Sequence, residues 1–199
     1  MNIGIDLDGV IFDSEKDYWV YAELFDLLNN GKGIVNKNEL RAQKRYNWTT
    51  EQIKEFEKAC FEIQKHTHLA SFAKSVMKAL SKNNKIFIIT SRGIMDSREI
   101  VLTNERLKDE GIVFDKIIFK AKEKLEVCKN FKIDLMIDDF YDVVSCLAKN
   151  NIKCLYYGDI SIKKLKHKNV VNVRNWGDVA VELVKRGIIN KNDIEEILL

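Results

Sequence analysis

The stretch Ile3-Gly4-Ile5-Asp6-Leu7-Asp8-Gly9 decides the fold, because a short apolar strand there ends in two carboxylates. Further short apolar runs follow along the chain, at 86–89, 117–119, 135–137, 154–156 and 170–171. These runs are continuous rather than alternating, which is typical of parallel strands covered by helices on both faces. Helical periodicity lies between several of them, at 100–107, 143–148 and 179–184. The alternation predicts a doubly wound α/β fold, a three-layer Rossmann-like parallel sheet with helices on both faces.

The composition is that of a globular protein. The chain has 199 residues, of which 46% are hydrophobic and 32% are charged. This length fits one domain, or one domain with a substantial insertion. A chain this long buries enough surface to fold without a disulfide or a structural metal ion. The net charge of +3 is too even to indicate nucleic-acid binding. The basic run at 163–168 has no interleaved aromatic residues, so we expect a solvated loop or helix end there.

Several features favour a cytoplasmic location. No apolar run approaches the ~20 residues that cross a bilayer, so we predict no membrane span. The first residues enter a strand-like segment at once and acidic residues follow, so we expect no signal peptide. The four cysteines form no C-x-x-C pair, and we expect them to be reduced and mostly buried: Cys60, Cys128, Cys146 and Cys154.

Residues 14–70 interrupt the α/β alternation, because they contain no convincing strand. Two helical stripes are present, one through Tyr18, Tyr21, Ala22, Phe25 and Leu28, and one through Ile53, Phe56, Cys60 and Ile63. The breaker at 29–33 separates them, and Thr49-Thr50-Glu51-Gln52 is a capping box for the second helix. We therefore predict a helical cap of residues 14–70 over an α/β core of residues 1–13 and 71–199.

Polar residues follow three of the predicted strands. Asp6 and Asp8 end the first, Thr90-Ser91-Arg92 follows the second, and Asp138-Asp139 follows the strand at 135–137. Ligands bind at the carboxyl ends of the strands of an open parallel sheet, so we expect these segments to converge. Clustered carboxylates repel one another unless a hard cation lies among them, and oxygen ligands favour Mg²⁺. Taken alone, the Asp138-Asp139 pair would also suit a turn or a helix N-cap.

The ordered set of motifs resembles the haloacid dehalogenase superfamily. Asp6-Leu7-Asp8-Gly9-Val10 with Asp13 is similar to motif I in the D-x-D-G-[VT] form of its phosphatases. Ile88–Ser91 resembles motif II, Lys124 resembles motif III, and Ile137–Asp139 resembles motif IV. The helical insertion stands at the position of a C1-type cap. Within the superfamily, the chain is most similar to bacterial relatives of the cytosolic 5'(3')-deoxyribonucleotidases.

The resemblance implies roles for the acidic residues. Asp6 would be the nucleophile that forms an aspartyl-phosphate, and Asp8 would be the general acid and base. Asp6, the backbone carbonyl of Asp8 and Asp139 would hold Mg²⁺. Asp138 would orient water or support these ligands.

The resemblance also implies which residues contact the substrate. Thr90 and Lys124 would hold the phosphoryl oxygens, with Lys122 as the alternative lysine. Ser91 and Arg92 lie beside Thr90 and are further candidates, although Arg92 could equally be a surface residue.

The expected function is Mg²⁺-dependent hydrolysis of a phosphomonoester, with a nucleoside or deoxynucleoside monophosphate as the substrate. The alternatives are a phosphatase of a sugar phosphate or other small metabolite, a phosphotransferase or mutase, and a silent phosphate-binding protein. We expect most aromatic residues of the insertion to form its core, with one or two stacking on a substrate base: Trp19, Tyr21, Tyr46 and Trp48. Ser14 stands where the animal deoxyribonucleotidases carry an aromatic substrate contact. The sequence leaves the oligomeric state open.

Overall fold

The computed structural model describes residues 1–39, 41–158 and 163–198. In this part of the chain, six strands form one parallel sheet in the order β3-β2-β1-β4-β5-β6. The strands are β1 (Asn2–Ile5), β2 (Lys85–Ile89), β3 (Lys116–Ile118), β4 (Leu135–Asp138), β5 (Lys153–Tyr157) and β6 (Val170–Val173). This sheet confirms the predicted Rossmann-like fold. The ends of each predicted apolar run differ from the ends of the corresponding strand by no more than two residues.

Helices cover both faces of the sheet. They are α3 (Ala73–Ser81), α4 (Arg98–Asp109), α5 (Lys124–Asn130), α6 (Tyr141–Lys149), α7 (Trp176–Lys185) and α8 (Lys191–Leu198). The strand residues alternate between two buried cores: Leu135 and Ile137 pack with α3, α4 and α7, whereas Met136 packs with α5 and α6. Burial on both faces explains why the central strands carry consecutive apolar residues.

The order of the strands places three strand ends side by side. β1 lies at the centre of the sheet, with β2 on one side and β4 on the other, so that Ile5 pairs with both Ile88 and Ile137. Strand order reverses at β1, and the crevice outside such a switch point is where open α/β sheets bind ligands. The residues that follow β1, β2 and β4 therefore meet at one edge.

The helical insertion follows β1, as predicted. It contains α1 (Ser14–Leu28), a 3₁₀ turn (Ala42–Lys44) and α2 (Thr50–His66). The predicted capping box is present, because the side chains of Thr49 and Gln52 each accept a hydrogen bond from the other residue's backbone amide. The insertion has its own apolar cluster, formed by Ala22, Phe25, Ala42, Tyr46 and Phe56, with Tyr18, Trp19, Tyr21 and Trp48 packed against it.

The two connections between the insertion and the sheet run side by side. The Asp13 amide donates to the His68 carbonyl, and the Ala70 amide donates to the Ile11 carbonyl, each at 2.9 Å. Arg106 of α4 donates to the carbonyls of Gln64, Lys65 and Thr67 at the end of α2. These bonds attach the base of the insertion to the α/β core.

One part of the predicted α1 stripe is wrong. Leu28 is 82% exposed, whereas Ala22 and Phe25 are buried in the cluster of the insertion. Leu28 is the last residue of α1 and lies beyond the residues of that helix that pack in the cluster, the last of which is Phe25.

The remaining predictions concern the surface. The basic run is irregular, and its lysines are exposed in the described residues 163–168. All four cysteines are free, with Cys128 and Cys154 buried, Cys60 partly buried and Cys146 exposed. Among the described residues, no helix is both long enough and apolar enough to span a membrane.

Candidate active site

Three carboxylates meet at the predicted edge of the sheet. Asp6 follows β1, Asp138 ends β4, and Asp139 follows it. One oxygen from each of the three lies within 4.8 Å of the others. The amide of Asp6 donates to the Ile137 carbonyl at 2.9 Å, so the pairing of β1 with β4 continues up to the cluster and fixes its geometry.

Lys124 lies inside this cluster. Its Nζ is 2.7 Å from Asp6 Oδ2 and 2.8 Å from Asp138 Oδ2, and its side chain is 7% exposed. Lys124 begins α5, which precedes β4, and this position directs the side chain back toward the strand ends. Lys122, the alternative from the sequence, is exposed.

Asp8, whose side chain is 25% exposed, forms a bidentate ion pair with the buried Arg92. Arg92 Nε donates to Asp8 Oδ2 at 2.8 Å, and Arg92 Nη2 donates to Asp8 Oδ1 at 2.7 Å. The remaining Nη1 donates to Thr103 Oγ1 of α4 at 2.9 Å. Arg92 is therefore a core residue and not a surface residue, and its guanidinium fixes the orientation of Asp8.

Thr90 and Ser91 follow β2, beside the cluster. Thr90 is buried, and its hydroxyl oxygen accepts a hydrogen bond from the Arg92 amide at 3.1 Å. This bond uses the oxygen of the Thr90 side chain and leaves its hydroxyl hydrogen to donate to a ligand. Ser91 is exposed.

Gly9 allows the first loop to pass over Asp139. Its φ is +74°, and a Cβ at this position would lie 2.2 Å from Asp139 Oδ2. Its amide donates to Ser14 Oγ at 3.0 Å. A side chain at position 9 would displace Asp139 from the cluster, which explains the glycine of the motif.

Burial and repulsion from neighbouring carboxylates raise the pKa values of Asp6 and Asp139. Burial, with the charge of Asp138, raises the pKa of Asp6 from 3.8 to about 7, although Lys124 opposes the rise. Burial and the charges of Asp6 and Glu15 raise the pKa of Asp139 well above its ordinary value. For Asp8, burial works in the opposite direction to Arg92, and Arg92 prevails, so the pKa of Asp8 is lowered.

This electrostatic imbalance fits a cation. Three carboxylates face one lysine, so the cluster keeps surplus negative charge when all three are ionised. The donors are oxygens alone, and one atom of each lies within reach of a common point. Hard divalent ions such as Mg²⁺ select this donor set. The residues present therefore fit a magnesium site.

A cavity of about 490 Å³ reaches the cluster at Asp139, between the insertion and the strand ends. Asp139 and Gly9 line its floor, while Glu15, Trp19 and Arg41 line it from the insertion. The Arg41 guanidinium carbon lies 4.3 Å from the centre of the Phe140 ring and so joins the insertion to the sheet across the cavity. Tyr46 and Trp48, by contrast, stack on each other inside the insertion.

The structure gathers most of the sequence-predicted site. The three carboxylates of Asp6, Asp138 and Asp139 lie together with Lys124 among them. Thr90 follows the neighbouring strand β2, and Asp8 is paired with Arg92. Sequence reasoning missed Glu15. Burial and the charge of Asp8 raise the pKa of this residue to about 7. Its place in the first turn of α1, just after the motif, was the available signal.

A buried lysine lies among acidic strand ends, and a threonine follows the next strand, as the resemblance to the haloacid dehalogenase superfamily predicts. No protein-family model matches the chain. The nucleotidase CA_C3379 from Clostridium acetobutylicum is 31% identical over 186 residues, which cover 90% of this chain and 91% of that protein.

Two solved structures show the same fold. The haloacid dehalogenase-like hydrolase SP0104 from Streptococcus pneumoniae has a TM-score of 0.62 and 14% identity, over 94% of this chain and 97% of that one. The hydrolase YfnB from Bacillus subtilis, bound to magnesium, has a TM-score of 0.59 and 14% identity, over 92% of this chain and 97% of that one. The chain belongs to the haloacid dehalogenase superfamily of hydrolases, and it is an enzyme of the phosphatase class.

Proposed function

We propose that the protein is a Mg²⁺-dependent phosphomonoester hydrolase that acts through an aspartyl-phosphate on Asp6. The position of the Asp6 carboxylate carries the proposal. Its Oδ1 accepts from the Leu7 amide at 2.7 Å, and its Oδ2 contacts Lys124. Both oxygens are thus oriented at the carboxyl edge of the sheet, which suits a nucleophile that must approach phosphorus along one line.

Lys124 and Thr90 would stabilise the transferred phosphoryl group. Attack by Asp6 on phosphorus forms the Asp6–phosphorus bond and breaks the bond to the leaving oxygen. Negative charge is spread over the phosphoryl oxygens during this step, and preorganised donors stabilise it. Lys124 supplies a fixed positive charge, and the Thr90 hydroxyl donates a hydrogen bond to a phosphoryl oxygen.

Asp8 would act as the general acid and base of the two steps. Arg92 holds Asp8 ionised, which is the form that takes a proton from the water that hydrolyses the aspartyl-phosphate. In the first step Asp8 must instead carry the proton that goes to the leaving oxygen. We propose that the negative charge of a bound phosphate raises the pKa of Asp8 and so favours that protonated form.

Asp6, Asp139 and the backbone carbonyl of Asp8 would hold the Mg²⁺, with Asp138 supporting them. The bound ion would neutralise charge on the phosphoryl group and on the carboxylates. The magnesium in YfnB and the surplus negative charge of the cluster support this cofactor.

The substrate we favour is a nucleoside or deoxynucleoside monophosphate. The 31% identical relative is named a nucleotidase. The cavity over Asp139 has Trp19 on the side of the insertion, where it could stack on a base. The Arg45 guanidinium carbon lies 3.9 Å from the centre of the Trp19 ring and packs against the indole. We propose that residues 14–70 act as the cap that closes on the leaving group.

Phosphate release tests the proposal. Wild-type protein should release phosphate from nucleoside monophosphates in Mg²⁺ and lose this activity in EDTA. Asp6→Asn should abolish release, while Asp109→Asn, at an exposed carboxylate of α4, should retain it. Faster release from sugar phosphates than from any nucleotide would overturn the substrate class. Mg²⁺-dependent release by Asp6→Asn would overturn the nucleophile.

We also propose a cytoplasmic location, which the four unpaired cysteines support. Fractionation of the source cells would test it.

A further inference from the structure

One face of α4 contacts both the insertion and the loop at 90–97 that follows β2. Three polar residues stand on this face at i, i+4 and i+7: Glu99, Thr103 and Arg106. Thr103 Oγ1 accepts a hydrogen bond from Arg92 of the loop at 2.9 Å. Arg106 donates to backbone carbonyls at the end of α2. α4 therefore holds the loop with one residue of this face and the insertion with another.

Glu99 contacts the loop and the insertion at once. Its Oε2 accepts a hydrogen bond from the Gly93 amide at 2.6 Å, and its Oε1 accepts one from Gln64 Nε2 at 3.0 Å. Gln64 lies in the last turn of α2 and is 7% exposed. Hydrogen bonds to a carboxylate are roughly twice as strong as those between neutral groups. A single side chain thus joins the end of α2 to the loop after β2.

The Gly93 amide belongs to the residue that follows Arg92. Gly93 has a φ of +86°, which lets the loop turn back over the start of α4. On the other side of the loop, the Arg92 amide donates to Thr90 Oγ1 at 3.1 Å, and the Arg92 carbonyl accepts from the Lys120 amide at 3.0 Å. The bond from Gly93 to Glu99 is the shortest of the three. Glu99 therefore helps to fix the backbone from which the guanidinium of Arg92 extends.

The insertion and α4 are not close-packed beside Glu99. A second cavity, of about 250 Å³, lies between them, and Tyr18, Cys60, Met95 and Glu99 are among the residues that line it. Packing holds two elements together weakly where a cavity separates them. The hydrogen bonds of Glu99 consequently contribute more to the position of the loop relative to the insertion.

We infer that Glu99 is a positioning residue for the general acid, because it couples the insertion to the loop whose Arg92 orients Asp8. The inference rests on the proposed phosphatase function and on the role of Asp8 in it. Departure of a poor leaving group needs a proton from Asp8, and a displacement of about 1 Å lowers the rate of such a step by up to about 10²-fold. Glu99 lies outside the lining of the catalytic cavity, so it acts through Gly93 and Arg92 and not on the phosphoryl group itself.

The dependence of the rate on the leaving group tests the inference. p-Nitrophenolate departs without a proton, whereas the alkoxide of a nucleoside 5'-monophosphate needs one. kcat/KM reports the step in which the bond to the leaving oxygen breaks. Glu99→Ala should lower kcat/KM about 10- to 100-fold for the nucleotide and less than about threefold for p-nitrophenyl phosphate. Equal losses for the two esters, or no loss for either, would overturn the inference, because a merely structural role lowers both alike.

Two further variants and a control separate the contacts of Glu99. Glu99→Gln should keep most of the activity, because its oxygen accepts from Gly93 and its amide donates to Gln64 Oε1, a buried atom with no hydrogen-bond partner among the described residues. Gln64→Leu removes the contact from α2 alone and should lower kcat/KM for the nucleotide by about two- to tenfold, the effect of one hydrogen bond. Glu105→Ala, at an exposed glutamate of the same helix, should change neither rate. Glu99→Gln as slow as Glu99→Ala would contradict the hydrogen bonds, and full activity of Gln64→Leu would contradict the coupling to the insertion.

Hydrogen exchange distinguishes failure of the inference from failure of the proposed function, because it needs no substrate. The Gly93 amide should exchange about tenfold faster in Glu99→Ala than in the wild type, after correction for global stability, and at the wild-type rate in Glu105→Ala. An unchanged rate in Glu99→Ala would overturn the inference even in an active phosphatase. A wild-type chain that releases phosphate from neither ester would overturn the proposed function, even if exchange shows the contact between Gly93 and Glu99.

Discussion

Replacing Asp6 with asparagine should stabilise the metal-free protein, and the gain should grow with pH. Asp6 is buried beside Asp138, and its pKa rises from 3.8 to about 7 on folding. A carboxyl with a raised pKa stabilises the folded state fully below its unfolded pKa, and this contribution is lost as the pH rises through the folded pKa. The wild-type chain therefore carries the cost of an ionised Asp6 above pH 7, whereas asparagine stays neutral.

The size of the effect follows from the shift. One pKa unit corresponds to about 1.36 kcal/mol, so the rise from 3.8 to about 7 corresponds to about 4 kcal/mol in all. About 2 kcal/mol of this falls between pH 5 and pH 7, because Asp6 is only half ionised at pH 7. The free energy of unfolding of Asp6→Asn, measured relative to the wild type, should increase by about that amount across this interval.

Urea denaturation in EDTA, at several pH values from 5 to 8, measures the difference. Asp109→Asn is the matched control, and its difference from the wild type should not depend on pH. Mg²⁺ should reduce the advantage of Asp6→Asn at pH 8, because the ion stabilises the ionised cluster of the wild type more than that of the variant. A difference between Asp6→Asn and the wild type that stays constant from pH 5 to 8 would refute the reasoning, since Asp6 would then ionise normally in the fold.

Other substitutions test the remaining parts of the site. Asp8→Asn should lower kcat by about 10²- to 10⁴-fold in the folded protein, although the variant should also unfold at a lower temperature because Arg92 loses its charged partner, and retention of full turnover would argue against the role of Asp8 in proton transfer. Lys124→Met should lower the free energy of unfolding by about 3–5 kcal/mol at pH 7, because it leaves buried carboxylates unpaired. Lys122→Met, at an exposed position, should change it by no more than about 0.5 kcal/mol, and equal losses in the two variants would contradict the buried pairing of Lys124. Arg41→Ala should raise KM about two- to fivefold through loss of its contact with Phe140, and an unchanged KM would show that this contact does not hold the cap over the substrate.

The α/β fold and the acidic cluster could be predicted because their determinants are local in the sequence. Each strand is a continuous apolar run, and each ligand follows a strand directly, so the parallel sheet alone brings Asp6, Thr90 and Asp138 together. Lys124 could be predicted because it begins the helix that precedes β4, at the edge of the sheet where the strands end.

The contacts that depend on tertiary packing could not be predicted. Arg92 contacts Asp8 across 84 residues of sequence. The sequence left open whether Arg92 contacts the substrate or lies on the surface. Its burial depends on the position of α4, where the hydroxyl of Thr103 accepts a hydrogen bond from the remaining guanidinium nitrogen. The faces of α1 posed a similar problem. Apolar residues occur on both sides of that helix, so periodicity could not tell that Leu28 lies on the exposed side and Phe25 on the buried side.

Trapping the phosphorylated enzyme tests the central claim most directly. A nucleoside monophosphate labelled with ³²P is mixed with the protein and Mg²⁺, the reaction is quenched in acid within one turnover, and the protein is digested and mapped. The account predicts a label on the peptide that contains Asp6, released by hydroxylamine as an acyl phosphate is, and absent from Asp6→Asn. Phosphate release with no labelled peptide, or with the label on another residue, would contradict it.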